Sequence, residues 1–227
     1  MRRFLSFVMV MLISLSSFAQ DVTKFLGIPV DGTKESMKQK LIQKGFKYDA
    51  KKDCLKGEFN GRDVEISIVT YRNKVWRIAV VDATPCDEAQ IKVRFNNLCY
   101  QFNRNKKYTP VRDAEKYIIP DDEDISYEMS VNNKRYEASY IQNFPDIETE
   151  EGKSVFQQEL LKKFESGELD PKSFENMSKE EGAKLLLDLI KNRFNNSVWF
   201  TINDVYLRYE IIMFYDNEAN HNTDDDI

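Results

Sequence analysis

Asn60-Gly61 stands between two strand-like runs, residues 55–59 and 64–71. Asn-Gly closes a two-residue hairpin, because both turn positions take positive φ and these residues reach it cheaply. A second polar turn, Arg72-Asn73, leads into a third run, residues 75–81. In the middle run Val64, Ile66 and Ile68 alternate with Glu65 and Ser67, which predicts one buried and one wetter face. Strands joined by such short turns are antiparallel neighbours, so this stretch is a meander.

Helical patterns surround it. Thr33 caps a helix carrying Met37, Leu41 and Ile42 on one side, and Gly45 followed by apolar Phe46 stops it. After the meander, Thr84 as N-cap, Pro85 in the first helical position and Asp87 at the third open a second helix, whose stripe Ile91, Phe95, Leu98 and Phe102 faces the core. Residues 125–131 and 135–142 flank Asn132-Asn133 and read as a second hairpin. A third unit has helices near residues 153–166, ended by Gly167, and 179–194, behind the capping box Ser178-Lys179-Glu180-Glu181. Strands at 198–202 and 206–215 close it. Helices arriving between meanders must cover one sheet face. The expected class is therefore α+β, with antiparallel meanders each preceded by helices, in two or three pseudo-repeats.

The ends set the compartment. Arg2 and Arg3, an uncharged run over residues 4–18 and the small residues of Ser17-Phe18-Ala19 make residues 1–19 a signal peptide cut near Ala19. No cysteine follows the cut and no second apolar stretch nears the ~20 residues of a membrane span, so the mature chain is expected in the periplasm or outside the cell, without membrane insertion. Residues 20–145 hold two helix-plus-meander units, 146–216 a helical pair and hairpin packed on them, and 217–227 an acidic disordered tail. The formal net charge is −5, with signs interspersed. That balance argues against nucleic acid, which needs clustered Lys and Arg.

Four strings, Phe25-Leu26-Gly27-Ile28-Pro29-Val30-Asp31-Gly32-Thr33, Gly57-Glu58-Phe59-Asn60-Gly61, Arg94-Phe95-Asn96-Asn97-Leu98-Cys99 and Phe214-Tyr215-Asp216-Asn217-Glu218, resemble a group of uncharacterised exported proteins of Bacteroidetes. The resemblance implies a cell-envelope or secreted setting and brings no activity or site residue with it. In layout, helix followed by meander in tandem is similar to β-lactamase-inhibitor proteins and small outer-membrane assembly lipoproteins, whose sheets bind proteins.

Several residues are candidates for chemistry. Cys86, at the second position of its helix, sits where the dipole favours a thiolate; a disulfide with Cys54 or an inert thiol are the alternatives, and Cys99 is expected to be buried. Asp121, Asp122 and Asp124 offer oxygen ligands to a calcium ion, against the reading of a solvated loop. The sole histidine, His221, lies in the tail, away from any nucleophile, and no phosphate loop or Gly-x-Ser-x-Gly elbow occurs. No cofactor is expected. The last hairpin carries large side chains on both faces, so it is either central and covered or a binding surface, with Trp199 and Tyr206 as binding residues. The expected function is a noncatalytic exported binding protein that recognises a protein or peptide through a sheet face or edge. A glycan-binding accessory with exposed aromatics, or an enzyme using a carboxylate pair or Cys86, are the alternatives.

Overall fold

The structure is a computed structural model that describes residues 22–142 and 196–221, with scattered positions between 157 and 182. The signal peptide read at 1–19 and most of the helical pair of the third unit lie outside the described residues.

The chain enters through a two-strand clip, β1 (Lys24–Phe25) and β2 (Ile28–Pro29). Thr33 then caps α1 (Lys34–Gln43), its hydroxyl accepting from the Ser36 N–H. Gly45, at φ +101°, donates to the Ile42 carbonyl and Phe46 to that of Leu41, so the helix stops where the Gly-apolar pair requires. Four strands follow: β3 (Lys47–Asp49), β4 (Cys54–Phe59), β5 (Arg62–Tyr71) and β6 (Lys74–Asp82). Asn60-Gly61 and Arg72-Asn73 both have positive φ at their two positions, as the tight turns demand.

The second half repeats this order. Helix α2 (Glu88–Arg104) precedes β7 (Tyr108–Pro110), a short helix α3 (Ile125–Val131), β8 (Glu137–Gln142), β9 (Ser197–Val205) and β10 (Arg208–Asp216). All eight strands from β3 onward form one antiparallel sheet in the order β3-β4-β5-β6-β10-β9-β8-β7. The order is a palindrome: among the described residues each half sets a long helix ahead of four neighbouring strands, with α3 inserted between β7 and β8, and the last strands of the two halves pair at the centre. The fold is α+β, with two such units among the described residues.

The register aligns one buried row across six strands, Leu55, Ile66, Val80, Met213, Phe200 and Ala138. Helix α1 lies over β3 to β6, most closely over β5, and α2 over β7, β9 and β10. Met37 and Leu41 of α1 and Ile91, Phe95, Leu98 and Phe102 of α2 meet that row in a single core. Among the described residues, no helix is long and apolar enough to cross a membrane.

Three expectations are corrected. Residues 125–131 are a helix, because the Asp124 carboxylate caps the Tyr127 N–H at 2.8 Å; Ile125 is buried while Tyr127 and Val131 are exposed. Helix α2 is capped by Asp87, which accepts from Gln90 N–H at 2.8 Å, so Thr84 and Pro85 belong to the connection before it. Residues 217–221 are docked rather than a free tail: Asn217 is buried and bonds Trp76 and Val30 carbonyls, and Glu218–Asn220 forms a 3-10 turn.

Candidate binding surface

Hairpin β9–β10 reaches past its neighbours. Its strands pair from Tyr215↔Val198 to Arg208↔Val205, while β8 follows β9 only as far as Thr201 and β6 follows β10 only as far as Ile212. The projecting part is held at its base. Cys86 and Tyr209 exchange two backbone hydrogen bonds of 2.8 Å, and the Arg208 guanidinium donates to the Pro85 carbonyl at 2.8 Å.

At the tip Tyr206 and Leu207 are 97% and 81% exposed. Both sit in the left-handed region, at φ 53° and 64°. A two-residue turn of this kind is the natural place of Asn-Gly; bulky residues there carry strain of order 1–3 kcal/mol each. The Asp204 carboxylate, accepting from Leu207 N–H at 2.9 Å, secures the geometry. Helix α3 is tied to the same base through Ser126, whose hydroxyl lies 2.7 Å from that of Tyr209 and donates to Glu88. It presents Tyr127 and Val131, one turn apart and exposed.

Tyr206 was expected on a strand and stands in the turn. Trp199 is elsewhere, on the outer sheet face, and is engaged: its ring stacks on Phe214 at 4.2 Å and its Nε1–H donates to Asp216 at 2.9 Å. Arg77 binds Asp216 through two bonds of 2.6 and 2.7 Å and covers Trp76 at 4.2 Å and Phe214 at 4.6 Å. His221 stacks on Trp76 at 4.1 Å. The hairpin is thus central in the sheet, and its outer face carries a half-buried aromatic–arginine cluster around Trp199.

The three cysteines are free and buried. Cys86 precedes the N-cap of α2, with its backbone spent on the Tyr209 bridge, so the helical position that favoured a thiolate is not the one it holds. Burial pushes its thiol up, as it does that of Cys54, and it takes Cys99 to about 12. Leu55, next to Cys54, is level with Met213, whereas Cys86 is level with Tyr209. Four residues along the strands are about 13 Å, beyond the ~7 Å Cα limit of a disulfide; the Cys54–Cys86 pair does not form. Asp121, Asp122 and Asp124 do not converge either. Lys92 holds the Asp121 and Glu123 carbonyls at 2.7 and 2.6 Å, and Asp124 is the cap of α3. Among the described residues no group of three or more His, Cys, Asp or Glu could hold a metal ion.

Leu207, Tyr127 and Val131 escaped the sequence reading, since the first was assigned to a strand face and the others to a hairpin. The signal for Leu207 was Asp204, a turn-forming residue that accepts from the amide three positions on. The chain matches no protein-family model, no curated protein and no solved structure.

Proposed function

We propose that this is a noncatalytic exported binding protein of the cell envelope or exterior that docks the tip of β9–β10 into an apolar pocket of another protein. One observation carries the reading: two large side chains are held almost fully in solvent on a backbone conformation that costs stability. Aromatic side chains anchor protein interfaces when a partner pocket desolvates them, and Tyr127 and Val131 extend the apolar surface at the base. An edge is the weaker route, because the outermost strands β3 and β7 have three residues each and β7 ends in Pro110. For glycan, Trp76 and Trp199 are already stacked on Arg77, His221 and Phe214.

The test is capture from envelope and culture fractions with residues 20–227 as bait, run beside a variant carrying Tyr206→Asn and Leu207→Gly. A protein enriched by the wild type and lost from the variant supports the reading. Equal enrichment by both removes the tip from it, and enrichment of nothing by the wild type counts against protein binding altogether.

A further inference from the structure

A concavity of about 240 Å³ lies between the loop before α3 and the start of β8, over Phe95. Its walls carry four cations, Arg112, Lys116, Lys134 and Arg135, against two carboxylates, Glu123 and Glu137. On a chain of net charge −5 this is a local surplus of positive charge. Lys134 is spent: it pairs with Glu123, which also accepts from the Tyr136 hydroxyl at 2.6 Å. Arg112 lies over the Tyr117 ring, its Cζ 4.7 Å from the centroid, with one N–H on the Glu137 carbonyl, which leaves most of its donor fork unused. Arg135 makes only a 3.8 Å contact with Glu137, and Lys116 has no carboxylate partner among the described residues.

The wall is pre-formed. Asn96 of α2 exchanges two hydrogen bonds with Ile119, of 2.8 and 2.9 Å. Lys92 pins the Asp121 and Glu123 carbonyls, and the Tyr117 hydroxyl donates to Ser139 O at 2.8 Å. A polar hollow whose wall is held by these hydrogen bonds, with a guanidinium over an aromatic ring and a surplus of two charges, suits a doubly charged, multi-oxygen group rather than an apolar ligand.

We infer that this cleft binds a tetrahedral dianion, phosphate or sulfate, free or at the end of an ester, with Arg112 as the bidentate contact and Lys116 and Arg135 closing on the remaining oxygens. The site is independent of the hairpin tip. Residues 20–227 are titrated with sodium phosphate, sodium sulfate and phenyl phosphate at constant ionic strength, with sodium chloride as control, and followed by amide NMR shifts. Saturable shifts centred on residues 112–137 are expected with the dianions and not with chloride. Arg112→Gln should weaken them at least about tenfold, the scale of a hydrogen bond to a charged group. Lys116→Gln, at an exposed position, should weaken them several-fold without touching the fold. Tighter binding of phenyl phosphate than of phosphate assigns the site to an ester, and equal binding to the free ion. Shifts equal to those in chloride, or unchanged in both variants, overturn the inference.

Discussion

Arg94 and Asp82 bury opposite charges against each other, Nη2 to Oδ1 at 3.3 Å, and the guanidinium also reaches the Asn60 carbonyl and side chain. Such a pair adds little over an apolar substitute, but removing one member strands the other. Arg94→Met should therefore destabilise by roughly 3–5 kcal/mol in urea unfolding, and adding Asp82→Leu should recover most of the loss. Glu218 is a different case. Burial raises its carboxyl above the ordinary 4.5, and Asp216 adds to the rise while Arg77 and His221 oppose it. The unfolded chain then loses this proton first as pH climbs. The Glu218 contribution to stability is complete below about pH 4.5 and is lost as pH rises through the folded value. Glu218→Gln should flatten that section of the stability curve, measured by thermal midpoints across pH 4–8, and raise the midpoint at neutral pH.

At the level of elements, β9–β10 holds Tyr206 and Leu207 in solvent at a cost to its own turn. Exchanging Tyr206-Leu207 for Asn-Gly places the favoured dipeptide in an unchanged backbone. The expected gain is about 1–3 kcal/mol by the strain relieved, read as a higher urea midpoint at unchanged slope; a destabilised hairpin would mean that the side chains pack within the chain. How far such elements can be read in advance depends on how local their causes are. Helix α1 was legible because Thr33, Gly45 and Phe46 state its start and stop within the segment. Helix α3 was not: Ile125, Tyr127, Met129 and Val131 fit a period of two, whereas only Ile125 and Met129 meet the core, one helical turn apart. The cap at Asp124 decides between the two patterns. Tyr206 stood out by residue type as a binding candidate and was misplaced by setting, since nothing in Tyr-Leu announces a turn. Arg112, Lys116, Lys134 and Arg135 read as dispersed surface charge because the loop with the 3-10 turn at Ala114–Tyr117 and the stretch leading into β8 are separated by helix α3 and meet only in the fold.

For the whole molecule, the decisive contact is β6 with β10, Val81↔Ile212 to Arg77↔Asp216, and no local pattern encodes a pairing across so long a separation. It makes both halves one core, with Ile78, Val80, Ile211 and Met213 in the same cluster. Unfolding should be a single transition, with near- and far-ultraviolet circular dichroism coinciding; separated curves would show that the halves melt independently. The palindromic order also imposes a schedule. Strand β6 is complete at Asp82, but its partner begins at Arg208. Until the residues up to Asp216 have followed it, whether from a ribosome or across a membrane, the first meander stands with the flank of β6 from Arg77 to Val81 unpaired. During that interval any other nascent copy can supply the missing neighbour. Crowding of unfinished chains is therefore the moment at which this protein is most exposed to misassembly.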